Sequence, residues 1–192
     1  MRKLLAPAKI NLSLSVKGRL ENDYHYLHSL IAPIDLYDEL EVEQTSKKGI
    51  EFSCSFSREL DQHVEVVLSY SSEFMKDLKR IESNDNLVVR VAEAFLEQFS
   101  IDGGLKINLH KNIPFGAGLG GGSADAAALI NLMHDIYSLG LSSRELCAFA
   151  AQFGADIPAL LFRRMVFASG LGDQISFLQR NSHVHTELPI II

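Results

Sequence analysis

The chain has 192 residues, 47% of them hydrophobic, and a formal net charge of -6 at pH 7. That length and apolar content suffice for a buried core in one domain, while the acidic balance argues against broad electrostatic binding to nucleic acid or anionic membrane and leaves small molecules as the expected partners. The two cysteines, Cys54 and Cys147, lack metal-ligand spacing, so they read as reduced, mostly buried thiols of a soluble, cytoplasmic protein without a membrane span or a zinc site.

From Ala6 to Val16 apolar residues fall on the even positions, while Lys9, Asn11, Ser13 and Ser15 take odd ones. This period of two predicts a half-buried strand and projects Lys9 and Asn11 from one face, side by side. A solvated outer face explains such a lysine equally well at this point. Arg19 to Asp23 reads as a loop. Tyr24 and His25, at its exit, suit either stacking on a planar ligand or packing at the edge of the core. Leu36 to Gln44 and Ile50 to Phe56 alternate as antiparallel-type strands, the first with a solvated acidic face. Val64 to Tyr70 is a further strand candidate, and Ser71 to Ser83 carries no clear pattern.

Asn84 and Asp85 are placed to cap a helix whose stripe Leu87, Val88, Val91, Ala92, Phe95, Leu96 and Phe99 has helical spacing. Leu105, Ile107 and Leu109 then predict a strand, and this strand feeds a stretch of Pro114 to Ala128 in which five residues are glycine. Glycines let a backbone approach a ligand closely. Strand, glycine loop and helix start together make an anion site, because unpaired N–H groups and a partial positive charge gather at a helix N-terminus. A nucleoside triphosphate is the expected occupant. A plain turn between core elements is the alternative. A Walker loop is excluded because Gly121 is followed by Gly122 and Ser123 instead of lysine and a hydroxyl residue. Gly116, Gly118 and Gly121 match a dinucleotide fingerprint in spacing, yet its acidic partner, Asp135, falls inside a helical pattern.

Ala126, Ala127, Ile130, Met133 and Tyr137 mark one face of the helix after the loop, with Gly140 as its expected stop. Ser142 and Glu145 form a capping box for the next helix, which is expected to end at Gly154. Asp156 follows between apolar neighbours and Pro158. It is either an N-cap or a buried carboxylate in need of a cation, and a lysine projecting from the first strand is a candidate partner.

Four stretches in order carry a resemblance: Pro7-Ala8-Lys9-Ile10-Asn11-Leu12, Tyr24-His25, Pro114 to Ala127, and Gly154-Ala155-Asp156-Ile157-Pro158. The glycine loop resembles that of the galactokinase, homoserine, mevalonate and phosphomevalonate kinase superfamily. The first two stretches are similar to those of its 4-diphosphocytidyl-2-C-methyl-D-erythritol kinase family. The resemblance implies an α/β (α+β) fold of the ribosomal-S5-domain-2 type, with a left-handed βαβ unit, a mixed and largely antiparallel sheet, and packed helices. It also implies transfer of the ATP γ-phosphoryl group to the 2-hydroxyl of the cytidylated methylerythritol, in the non-mevalonate route to isoprenoids.

Carried over by residue, the resemblance makes Pro114, Phe115, Gly116, Ala117, Gly118, Leu119, Gly120, Gly121, Gly122, Ser123 and Ala124 the holders of the ATP phosphates. It makes Asp156 the base and Lys9 its charge-stabilising neighbour, with Asn11, Tyr24 and His25 at the substrate. Magnesium is expected with ATP, its ligands unassigned. Asp23, Ala124 and Asp173 stand where the family more often has Gly, Ser and Glu. Family members also run on for about a hundred residues more, the size of a second domain. The expectation is thus an N-terminal ATP-binding kinase domain over residues 1–192, with the C-terminal domain absent or truncated. A nucleotide-binding fragment without full catalysis, or a kinase of the superfamily acting on another small alcohol, are the alternatives.

Overall fold

The computed structural model describes residues 1–19, 25–60, 80–81, 83–172 and 174–178. Tyr24, the strand candidate at 64–70, nearly all of 71–83, Asp173 and the apolar stretch at 187–192 lie outside the described residues.

Two long strands open the chain, β1 (Arg2–Arg19) and β2 (His25–Thr45), paired antiparallel along most of their length. Strand β3 (Gly49–Phe56) follows, then helix α1 (Leu87–Gln98), strand β4 (Gly104–Lys111), helices α2 (Gly121–Tyr137), α3 (Ser143–Ala150) and α4 (Ile157–Leu160), and strands β5 (Val166–Gly170) and β6 (Gln174–Phe177). The sheet has the order β3-β4-β2-β5-β6, with β1 pairing β2 off this path. Among the described residues only β3 and β4 run parallel, and the other pairs are antiparallel. This is the mixed, largely antiparallel sheet with packed helices that was expected.

The alternating strands are half-buried for the reason their sequence gives. Leu40, Val42, Leu105, Ile107 and Leu109 turn inward against Val88, Val91, Phe95, Leu129, Ile130 and Met133 of the helices, while the intervening Glu41, Lys106 and Asn108 point outward. Phe95, Phe99, Phe149 and Phe153 stack where α1 meets α3 and the turn after it, with successive ring centroids 4.6 to 5.9 Å apart. The apolar stripe of β1 departs from expectation. Ala6 and Ala8 are fully buried and Ile10 partly so, but Leu12, Leu14 and Val16 are exposed. Cys54 and Cys147 are only half-buried, and burial pushes the Cys147 thiol up.

Side-chain caps open α1 and α3, and three helix ends differ from expectation. The cap of α1 is Asn86, whose side chain accepts from Val88 N, and neither Asn84 nor Asp85 takes that place. Helix α2 begins at Gly121, before Ser123, and stops at Ser138 in the left-handed conformation, two residues short of Gly140. The Ser142 and Glu145 capping box of α3 is present, and α3 ends at Ala150, ahead of Gly154.

Candidate active site

Three distant stretches of chain meet at Lys9. Its backbone N–H donates to the carbonyl of Leu119 at 2.9 Å, tying β1 to the glycine loop. Its aliphatic stem lies against Gly120, where an added Cβ would sit 2.9 Å from both Cγ and Cε. Gly120 also has φ +69°, so a side chain is excluded there twice over, by sterics and by conformation. At the end of the stem, Nζ donates to Asn11 Oδ1 at 2.7 Å and lies 3.2 Å from Asp156 Oδ2. Asn11 Nδ2 in turn donates to Ser29 Oγ at 2.6 Å, and Ser29 Oγ donates to the Ser13 carbonyl at 2.8 Å. The ammonium is thus aimed by a relay of neutral side chains on β1 and β2. Lys9 is 9% exposed at its side chain and Asp156 39%, so the pair has one dry member and one wet member. The carboxylate is thus held by the ammonium and still open to a ligand.

Asp156 sits at the N-terminal boundary of α4, but its side chain makes no capping hydrogen bond. The capping role is therefore set aside. Asn131 of α2 donates to the Leu161 carbonyl at 2.7 Å and holds the end of α4 in place. Helix α2 has Gly120 as its N-cap and so no side-chain cap, which leaves its first N–H groups for whatever binds between the loop and Lys9. Pro114 to Gly122 line a groove of about 340 Å³ together with Ser123 and Lys111. His25 opens β2 opposite Arg19, and Tyr24 lies outside the described residues.

A second charged cluster lies directly beneath the loop. Lys111, the last residue of β4, donates to Asp125 Oδ2 of α2 at 2.7 Å and to Asp38 Oδ2 of β2. All three are at most 3% exposed. Asp38 Oδ1 accepts from the backbone N–H of Asn112 at 2.6 Å and of Ile113 at 2.8 Å, which sets the chain's path into the loop. One cation is thus shared by two carboxyls in a dry setting. For Lys111, burial lowers the affinity for a proton, but the two carboxylates outweigh this and raise it. Burial pushes the Asp125 carboxyl up to about 7, with Lys111 opposing and Asp38 adding to the effect.

A carboxyl with a raised folded-state pKa favours the folded protein most while it is protonated. That contribution is complete below its unfolded value of about 4 and is lost as pH climbs through about 7. Stability of the parent relative to Asp125→Asn should therefore fall over this window in urea unfolding at stepped pH. A difference flat across it would mean that the carboxyl does not titrate there.

A cavity of about 340 Å³ adjoins the loop groove and shares Ile81, Leu87, Lys111, Phe115 and Gly122 with it. Leu87, Phe115 and Phe153 give it apolar walls, and Asp125 and Asn86 are among its polar lining. A planar, apolar group fits such walls while an attached anion reaches the glycine loop. The Lys111 cluster and this cavity were not anticipated from the sequence. The usable signal was Asp125, a lone acid set among Ala124, Ala126 and Ala127 at the start of a helix.

Known proteins match this chain in sequence and in fold. Residues 86–164 match the family model described as the GHMP kinases N terminal domain. A protein of Clostridium novyi (strain NT) named 4-diphosphocytidyl-2-C-methyl-D-erythritol kinase is 36% identical over 175 residues, covering 91% of this chain and 54% of that protein. The protein of the same name from Clostridium botulinum (strain Langeland / NCTC 10281 / Type F) is 34% identical over 174 residues, again 91% and 54%. A crystal structure of 4-(cytidine 5'-diphospho)-2C-methyl-D-erythritol kinase superposes with a TM-score of 0.68 at 37% identity, over 92% of this chain and 55% of that one. The homoserine kinase of Cytophaga hutchinsonii shares the fold, with a TM-score of 0.63 at 17% identity. The chain spans about half the length of the curated relatives it matches. It is similar to the 4-diphosphocytidyl-2-C-methyl-D-erythritol kinases over that half and shares the ribosomal-S5-like α/β fold of the crystal structure it matches.

Proposed function

We propose that this chain forms the ATP-holding half of a small-alcohol kinase that phosphorylates the 2-hydroxyl of 4-diphosphocytidyl-2-C-methyl-D-erythritol, a step of isoprenoid precursor synthesis in the cytoplasm. The observation that carries the reading is the contact of Lys9 Nζ with Asp156 Oδ2 at 3.2 Å, made against the last turn of a glycine loop that ends in an uncapped helix. Phosphoryl transfer asks the protein mainly for positioning and for charge stabilisation, and these parts supply both.

In this reading the triphosphate lies along Pro114 to Ala124 with its γ-phosphoryl group toward Lys9. The substrate hydroxyl gives its proton to Asp156 as its oxygen bonds to the γ-phosphorus. The bond from that phosphorus to the β,γ-bridging oxygen breaks, and ADP leaves with the electron pair. Lys9 holds Asp156 in position before transfer and offsets charge on the phosphoryl oxygens during it. Asn11 holds the ammonium in line, and Tyr24 with His25 takes the cytosine ring. Magnesium, expected with ATP, would neutralise phosphate charge; phosphate oxygens and water are its usual ligands in such sites, and the described residues contain no cluster of three or more His, Cys, Asp or Glu side chains able to hold a metal.

The test is a coupled ADP-release assay with ATP and the cytidylated alcohol, run beside mevalonate and homoserine. Turnover of the cytidylated alcohol alone supports the assignment, and a Tyr24→Ala variant should raise its KM by about tenfold or more, as loss of one aromatic stacking contact implies. Preference for either other alcohol would transfer the chain to a different member of the superfamily. ATP binding without any turnover would favour the second reading, a nucleotide-holding module, which the coverage of 54% of the relatives keeps in view.

A further inference from the structure

Ser29 places a hydroxyl in the dry part of β2, where it is 1% exposed. A buried hydroxyl has to make its hydrogen bonds or carry a desolvation cost that alanine or valine at the same position avoids. Its Oγ donates to the Ser13 carbonyl at 2.8 Å and accepts from Asn11 Nδ2 at 2.6 Å. The first bond is ordinary satisfaction of a buried polar group. The second is of another kind, because it reaches from the core to an exposed side chain that in turn holds Lys9. The register of β1 on β2 shifts between Asn11 and Ser13, and such irregularities re-aim side chains beside functional sites. Side chains fasten the hairpin at that point, since Leu30 N also donates to Ser13 Oγ, at 3.3 Å.

The order of donors along this relay admits one arrangement. A backbone carbonyl only accepts, so the single hydrogen of Ser29 Oγ is spent on Ser13 and the oxygen meets Asn11 as an acceptor. Asn11 must then offer Nδ2 to Ser29, which turns Oδ1 toward Lys9. An ammonium only donates and needs that same oxygen. A reversed amide would set donor against donor at Lys9 and acceptor against acceptor at Ser29. Resting on the reading that Lys9 assists phosphoryl transfer, we propose that Ser29 is a positioning residue for that step: it fixes the orientation of the Asn11 amide and, through it, the direction of the Lys9 ammonium. Asn11 Oδ1 at 2.7 Å and Asp156 Oδ2 at 3.2 Å take two directions around Nζ. The remaining N–H then has one direction left, which in this reading belongs to a phosphoryl oxygen.

The experiment compares the parent, Ser29→Ala, Asn11→Ala and the double variant of the full chain. Single-turnover transfer from ATP to the cytidylated alcohol is measured on each, and so is exchange of the Lys9 ammonium hydrogens with water, read by NMR on isotope-labelled lysine without nucleotide. Ser29→Ala should slow transfer and speed the exchange by about threefold to tenfold, the worth of one hydrogen bond, with ATP affinity held within about twofold. In the Asn11→Ala background the same substitution should add less than about twofold to either, because its route to Lys9 is already gone. A serine that merely fills the core acts alike in both backgrounds, so equal effects overturn the assignment. So does an exchange rate in Ser29→Ala equal to that of the parent. Should Ser29→Ala fail to fold, Ser29→Cys replaces it with the same expectations, since a thiol of similar size is a weak donor and acceptor. Failure of the kinase reading looks different. If the parent transfers nothing, the exchange rates still decide what Ser29 does, and a response that needs Asn11 supports it as the residue that orients the ammonium.

Discussion

Asp156→Asn is expected to lower phosphoryl transfer by about 10²- to 10⁴-fold, the range spanned by loss of a general base, with ATP affinity changed by less than about threefold. The asparagine keeps the shape of the carboxylate and a carbonyl oxygen within reach of Lys9, so the geometry at 3.2 Å survives while proton acceptance does not. Lys9 retains its contact with Asn11 at 2.7 Å and is not left without a partner. Because Asp156 is 39% exposed, the lost ion pair should change stability by no more than about 1 kcal/mol. Single-turnover phosphoryl transfer beside a nucleotide titration separates these effects. Transfer at the parental rate would take Asp156 out of the chemistry. A matched loss of ATP affinity would instead make it a binding residue.

Gly120→Ala should be the most damaging single methyl group in the loop. Two penalties coincide, a left-handed φ of +69° and a Cβ placed 2.9 Å from two carbons of the Lys9 stem. The strained backbone alone costs about 1–3 kcal/mol in urea unfolding. Relief of the clash has to move Lys9 away from Asp156, so nucleotide turnover should fall by about tenfold or more. Gly122→Ala is the matched control. A Cβ at that position meets nothing within 4 Å and the backbone is helical, so stability should rise by up to about 1 kcal/mol from helix propensity. If the two substitutions cost the same, the contact between Gly120 and Lys9 does not organise the loop.

What could be read beforehand depended on how far a feature is local. Period-two alternation marked β1, β3, β4 and the second half of β2, because a strand lying on a helical layer needs one apolar face. The box of Ser142 and Glu145 is a bond between near neighbours, visible in any four-residue window. Lys9 and Asn11 were placed together by parity, two positions apart on one strand. Asn86 was missed as a cap because Asn84, Asp85 and Asn86 are three competent residues in a row, and only the geometry decides among them. The short strands β5 and β6 carry too few residues for a period to emerge. Exposure of Leu12, Leu14 and Val16 could not be foreseen either, since alternation says which residues share a face and not what covers it. The buried Asp38, Lys111 and Asp125 cluster joins residues 73 and 14 positions apart in sequence, and Asp38 and Lys111 alone look like ordinary surface charges.

The parallel ladder between β3 and β4 bears on when this site comes into being. Contacts across it, such as Ser53 with Asn108, link residues 55 apart, so the ladder closes only after a long intervening segment has been drawn in, at a cost in chain entropy. The β1 and β2 hairpin joins sequence neighbours and needs no such wait. Lys9 is therefore in place early on a growing chain, whereas the loop hangs from the far end of β4 and is seated by Lys111 reaching Asp38. A ribosome-bound chain that has already exposed its lysine has no hold on a nucleotide until α2 has been synthesised and docked.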